Sequence, residues 1–176
     1  MSVSHVALLR GVNLGPKRKI SMPQLRATVE ELGFAGVRTY INSGNVVLTS
    51  DRPAEEIESR IAEAIEATFS HRVDVVVRSA AQLDQVLAAN PFPDGNPSQV
   101  TVAFLAGAPG PEADQRLAAV AVAGEPYVMG DREIYVNYTH GIGESRLTAG
   151  FSAAIGVSAT VRNLRTVTRL RDLCAD

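Results

Sequence analysis

Hydrophobic positions along the chain follow two rhythms, one of short continuous apolar runs and one of helical stripes. His5-Val6-Ala7-Leu8-Leu9-Arg10 is an apolar run closed by Gly11, the pattern of a strand buried on both faces. After a glycine and lysine loop, Ser21 reads as an N-cap and Pro23 suits a first helical turn. Leu25, Val29 and Leu32 then recur at helical spacing until Gly33 stops the helix. Val37 to Ile41 and Val46 to Thr49 read as strands joined by Asn42-Ser43-Gly44-Asn45, a hairpin signal. From Pro53 to Phe69, Ile57, Ile61, Ala64, Ile65 and Thr68 form one stripe with glutamates opposite, so this segment is an amphipathic helix. Val73 to Arg78 is the fourth strand.

The resulting order, βαββαβ, is the split βαβ arrangement of ferredoxin-like domains. A further helix runs from a Ser79 cap through Leu83, Val86 and Leu87, and the proline-dense stretch from Asn90 to Pro97 marks a boundary. Beyond it the pattern recurs without obvious recurrence of residues. Strand Val100 to Leu105 precedes helix Pro111 to Ala123, strands Tyr127 to Met129 and Glu133 to Asn137, and helix Glu144 to Ile155. A strand near Ala159 to Val161 leads to a closing helix from an Asn163 cap to Leu173. The fold class predicted is α+β: two ferredoxin-like βαββαβ lobes in tandem, each followed by an extra helix. Residues 1–90 form the first lobe plus helix, 91–98 the proline-rich linker, and 99–176 the second lobe plus helix. Consecutive apolar positions in Val6 to Leu9, Val75 to Val77 and Val102 to Leu105 require cover on both sheet faces, so packed lobes are expected.

Length and composition place the chain among ordinary globular proteins: 176 residues, 45% apolar, 20% charged and 5% aromatic, with one cysteine and no tryptophan. Its apolar runs fall far short of the roughly 20 residues of a membrane span, and the N-terminus reads as a strand rather than a signal peptide. A cytoplasmic location is expected, with no membrane partner. The net charge of −2 conceals an asymmetry. Residues 1–29 carry five cations and no acid, and so do residues 145–171, whereas residues 30–144 carry seventeen acids against seven arginines. Two basic ends around an acidic middle would form an anion-binding face if they met, or solvated basic surface if they did not.

Gly11-Val12-Asn13-Leu14-Gly15-Pro16-Lys17-Arg18-Lys19 lies between a strand and a helix, where phosphate loops occur. It departs from the Walker pattern: the glycine spacing is one residue short, proline precedes Lys17, and Arg18 occupies the place of the magnesium-binding hydroxyl. It reads either as an anion cradle of backbone amides and cations or as a flexible basic loop. Ser43 has no histidine or acid beside it in sequence, so the turn it occupies predicts no triad. His5, His71 and His140 are isolated, so no metal or other cofactor is expected. Cys174, third from the end, reads as neither core thiol nor nucleophile. Glu55, Glu56, Glu58, Glu63 and Glu66 read as the solvated face of their helix. Arg162, Arg165 and Arg169, spaced three and four apart, are expected on one face of the closing helix. The strands Val6 to Arg10 and Val46 to Thr49 contain no aromatic, so base stacking of the RNA-recognition kind is not expected.

The segments ALLRGVNLG with KISMPQLR, RTYINSGNVV, GIGESRL and ATVRNLRTVTRL, taken together, resemble a bacterial family known as domain of unknown function sixteen ninety-seven. The resemblance runs from the first strand to the last helix and implies a duplicated α+β fold, with no activity or cofactor attached to it. It also implies that Arg10, Gly11, Asn13, Lys19, Tyr40, Ser43, Gly44, Asn45, Ser145, Arg162, Asn163 and Thr166 are the positions to inspect. The chain departs from the family pattern at Leu164, where tryptophan is common, and at His140, where asparagine is usual.

The leading expectation is a module binding an anionic ligand: a phosphorylated small molecule, a nucleotide or nucleic acid. In this reading Arg10, Lys19, Arg162 and Asn163 join Gly11, Asn13, Tyr40, Ser43, Gly44 and Asn45. The alternatives are an enzyme acting on a small phosphorylated or nucleotide substrate, with Ser43 or Tyr40 in a chemical role, and an oligomerisation module. The pattern specifies neither oligomeric state nor protein partner.

Overall fold

A computed structural model describes residues 1–17, 19–121, 125–142 and 146–175. The first half contains β1 (Val3–Leu9), α1 (Met22–Glu31), β2 (Ala35–Tyr40), β3 (Asn45–Ser50), α2 (Ala54–Phe69) and β4 (Val75–Ser79), followed by α3 (Ala80–Ala88). The second contains β5 (Val100–Leu105), α4 (Ala113–Val120), β6 (Tyr127–Met129), β7 (Glu133–Asn137), α5 (Arg146–Ile155) and β8 (Ala159–Asn163), followed by α6 (Leu164–Ala175). The strands form two antiparallel sheets ordered β2-β3-β1-β4 and β6-β7-β5-β8, so the duplicated βαββαβ pattern is present. The expected Ala123 end of the fourth helix and the Glu144 start of the fifth lie outside the described residues. No helix among the described residues is long and apolar enough to cross a membrane.

By contact the chain groups into residues 1–85 with 168–176, and residues 86–167. The expected linker at 91–98 falls within the second of these groups. The proline-dense stretch is tied down by its asparagines: Phe92 N–H donates to Asn90 Oδ1 (3.0 Å) and Ser98 N–H to Asn96 Oδ1 (2.9 Å). The final turns of α6 belong with the first sheet, where Arg38 of β2 donates to the Leu173 carbonyl.

In the first unit α1 and α2 cover one sheet face. Ala7, Leu9, Val46, Leu48, Val75 and Val77 pack there against Leu25, Val29, Ile57, Ile61 and Ile65. The opposite face, carrying Val6, Leu8, Val47 and Val76, is equally closed to solvent. The second unit repeats this: Ala103, Leu105, Ile134 and Val136 pack with Leu147, Phe151 and Ile155, while Val102, Phe104 and Tyr135 are buried on the other face. Tyr135 satisfies its hydroxyl by donating to the Val86 carbonyl of α3 (2.8 Å).

A residue-level repeat also appears. Val77-Arg78-Ser79 and Val161-Arg162-Asn163 end the last strand of each sheet, with both arginines buried and each donating to the carbonyl of the preceding valine. The next residue caps a helix in both. Ser79 and Gln82 form a reciprocal capping box at α3, and Asn163 Oδ1 accepts from Thr166 N–H (2.9 Å) at α6.

The α2 glutamates divide in role. Glu58 is half-buried and accepts from the outward N–H of Val77 (2.7 Å) on β4, an edge strand. It is therefore not solvated ornament: it closes a backbone donor that would otherwise invite another strand. Glu56 pairs with Arg52, and Glu63 accepts from Ser59 (2.8 Å).

Glu58→Ala is expected to destabilise the fold by about 1–3 kcal/mol, because a backbone donor in a partly buried site loses its acceptor. Glu55→Ala is expected to stay within about 0.5 kcal/mol. Urea denaturation of the two variants checks this. His5, 8% exposed, has its pKa lowered by burial, against a smaller opposing pull from the Ser50 backbone. The unfolded chain therefore takes up this proton first, near pH 6.5. Its contribution to stability is complete above that pH and is lost as pH falls through the lower folded value. Urea midpoints at pH 7.5 and 5.5 should diverge more in the wild type than in His5→Gln.

Candidate functional site

The hairpin turn after β2 and the loop after β1 meet at one end of the first sheet. Gly44 has φ +82°, and a Cβ there would lie 2.7 Å from Val12 Cγ2 and 2.8 Å from Leu9 Cβ. Only glycine lets the turn approach β1 this closely, and Leu9 N–H donates to the Gly44 carbonyl (2.9 Å) to hold it. Asn45, fully buried, donates to the Tyr40 carbonyl (2.8 Å) and to Ser43 Oγ (3.0 Å). The Ser43 hydroxyl thus helps to build the turn.

Asn13 links the two segments. At φ +57°, a backbone region that asparagine tolerates, its side chain donates to the carbonyls of Ile20 (3.0 Å) and Asn42 (2.8 Å) and accepts from Ile20 N–H (2.8 Å). One amide closes the loop on itself and fastens it to the hairpin. A cavity of about 540 Å³ lies here, lined by Asn13, Gly15, Lys19, Ile20, Ser21, Met22, Pro23 and Asn42. Ser21 occupies the N-cap position of α1, as expected, but its hydroxyl makes no cap hydrogen bond. The first turn of α1, whose Met22 and Pro23 line the cavity, has no side-chain cap and contains no acid.

The cations of the first basic segment are partly spoken for, although Lys17 is exposed. Arg10 pairs with Asp74 (3.2 Å) and Arg26 with Glu30 (2.8 Å). Lys19 is exposed, lines the cavity and has no ion pair among the described residues. Arg18 lies outside the described residues.

Eight of the ten expected residues therefore belong to one end of the first sheet or its loops: Arg10, Gly11, Asn13, Lys19, Tyr40, Ser43, Gly44 and Asn45. Arg162 and Asn163 end β8 in the other unit. Arg162 is a strand residue, which corrects the expectation that it shares a helix face with Arg165 and Arg169. Its guanidinium is buried and donates to Thr160 Oγ1 (2.9 Å) and the Val161 carbonyl (2.8 Å). Burial pushes its pKa down to about 10, which leaves it charged at neutral pH. Arg171 pairs with Asp84 (3.0 Å) and Asp172 (2.8 Å). Ser145 lies outside the described residues. Burial raises the Cys174 thiol to about 11, in keeping with an unreactive sulfur. No group of three or more metal-ligating side chains occurs among the described residues.

Ser21, Met22, Pro23 and Asn42 were not among the expected residues, because only the folded loop brings them to one cavity. Ile41 was also missed. A β-branched residue at φ +49° is unusual, and no sequence signal announces it.

Gly44→Ala is expected to destabilise the protein by about 2–4 kcal/mol, combining left-handed backbone strain with overpacking. Gly11 has φ +66° but open space where a Cβ would be, so Gly11→Ala should lose only about 1–2 kcal/mol. Thermal unfolding of the two variants separates strain from close contact.

A family described as "Protein of unknown function (DUF1697)" matches residues 2–135. Among solved structures, the conserved bacterial protein SP0830 from Streptococcus pneumoniae is similar at a TM-score of 0.73 and 19% identity, over 99% of each chain, a likeness of fold. No curated protein matches the chain. With β1 to α3, the loop and hairpin of the cavity and most of the second sheet inside the matched region, the chain belongs to the DUF1697 family.

Proposed function

We propose that this protein binds an anionic, phosphorylated ligand in the cavity between the 11–21 loop and the Asn42 turn. The observation that carries the reading is the lining itself: among the described residues Lys19 is its one ionised side chain, and it stands beside an α1 N-terminus that lacks a side-chain cap. The first-turn N–H groups of α1, those of Met22 and Gln24 since Pro23 has none, and a nearby cation both favour negative charge. Asn13 serves the site indirectly, because its side chain is committed to Ile20 and Asn42. Tyr40, Ser43, Gly44 and Asn45 likewise shape the turn that presents Asn42. Arg162 and Asn163 enter this reading as structural residues of the second sheet, since one is buried and the other caps α6.

Phosphate should raise the unfolding temperature relative to sodium chloride at matched ionic strength. At ten times the dissociation constant the stabilisation should be about 1.4 kcal/mol. Lys19→Ala should remove most of the increment, while Arg26→Ala, whose cation is paired with Glu30, should retain it. Equal shifts in chloride and phosphate would count against the proposal.

A further inference from the structure

We infer that the outer edge of β8 docks an extended acidic segment of a partner protein, whose carboxylate takes the place that the first lobe fills with its own Glu58. The ground is a difference between the two copies of the repeat. Arg10 N–H donates to the Asp74 carbonyl (3.0 Å), and Ala106 N–H donates to the Ser158 carbonyl (2.8 Å). Inward and outward N–H groups alternate along an antiparallel strand. Counted from these bonds, Val77 and Val161, the partners of Ala7 and Ala103, direct their N–H groups away from the neighbouring strand. Ser79 and Asn163, two residues further on, do the same.

In the first lobe both outward donors are closed from within. Glu58 accepts from Val77 N–H (2.7 Å), and Gln82 Oε1 accepts from Ser79 N–H (2.8 Å). The second lobe keeps the frame and changes both acceptor positions. Its core residues Leu147, Phe151 and Ile155 have the spacing of Ile57, Ile61 and Ile65, so Thr148 follows Leu147 in sequence as Glu58 follows Ile57. Thr166 stands three residues after Asn163, as Gln82 does after Ser79, and each donates its N–H to that capping side chain. No acceptor for the N–H of Val161 or Asn163 occurs among the described residues. Exposure agrees with this: Val77 is 1% exposed, whereas Val161 is partly exposed.

Charge specifies the occupant. In the first lobe a carboxylate and a guanidinium sit on the two outward groups of one residue, because Arg78 donates to the carbonyl of the same Val77 (3.0 Å). In the second lobe Arg162 donates to the Val161 carbonyl in the same way (2.8 Å), while residues 145–171 hold no acid. Arg162 is 8% exposed, and beside a desolvated guanidinium a carboxylate is a stronger acceptor than water. Arg165, exposed in the first turn of α6, continues the positive edge. Two donors at strand spacing beside these cations suit an extended acidic chain added to the sheet edge.

Nuclear magnetic resonance of the intact, isotope-labelled protein, titrated with a synthetic peptide of about six residues alternating glutamate and threonine, tests the inference. The amide signals of Val161 and Asn163 should shift and gain protection from exchange. The peptide should bind about tenfold more tightly than its counterpart with glutamine for glutamate, and more tightly than free glutamate. Thr148→Glu, which returns a carboxylate to the Glu58 position, should protect Val161 without peptide and abolish the peptide response, whereas Thr148→Ser should bind as the wild type does. Equal affinity for the two peptides, or for peptide and free glutamate, would overturn the inference. So would shifts confined to residues away from β8, no binding by either peptide, or unchanged affinity in a folded Thr148→Glu protein. Should that variant not fold, the wild-type amide map and the peptide comparison decide the matter.

Discussion

The central strands of both sheets are closed to solvent on both faces, and much of the remaining architecture follows from that constraint. Helices α1 and α2 cover one face of the first sheet, yet Val6, Leu8, Val47 and Val76 on the other are just as buried. Polar groups caught on such faces must be satisfied locally, because an unpaired buried donor or charge is expensive. Arg78 and Arg162 accordingly turn back onto the carbonyls of Val77 and Val161. Edge donors need the same treatment, and Glu58 provides it for Val77.

At one end of the first sheet, a chain of short-range contacts turns sequence into a shaped cavity. The missing Cβ of Gly44 brings the turn onto Leu9 and Val12, and buried Asn45 fixes the turn by bonding to Tyr40 and Ser43. Asn13 then joins that turn to the loop running into α1. Residues that resemble candidate ligands or nucleophiles, Ser43 and Asn13 among them, act first as fasteners. The surfaces they position, Lys19, Met22 and the open start of α1, are the ones left facing the cavity.

Much of the fold was legible because binary patterning is local. Continuous apolar runs marked β1, β4 and β5, the Asn-Ser-Gly-Asn segment marked the hairpin, and the stripe from Ile57 to Ile65 marked α2. Caps at Ser79 and Asn163 were equally visible. The candidate site was legible in part. Its loop and turn stood out by glycine, lysine and asparagine content, whereas Asn42, Met22 and Pro23 are unremarkable residues until the loop folds back. Arg162 was misplaced by a helical spacing of arginines that continues, by coincidence, one residue before the Asn163 cap.

What the sequence by itself determined is therefore the kind and order of elements and the duplicated βαββαβ plan, because each depends on periodicity and turn chemistry within a few residues. Only the tertiary structure decided which polar groups are used up. Glu58 of α2 on the edge strand β4, Arg10 on Asp74 and Arg162 inside its sheet are all outcomes of distance between segments remote in the chain or of strand register. Hydrogen bonds and ion pairs act over a few ångströms, so charge counted along a sequence does not say which cations remain available to a ligand.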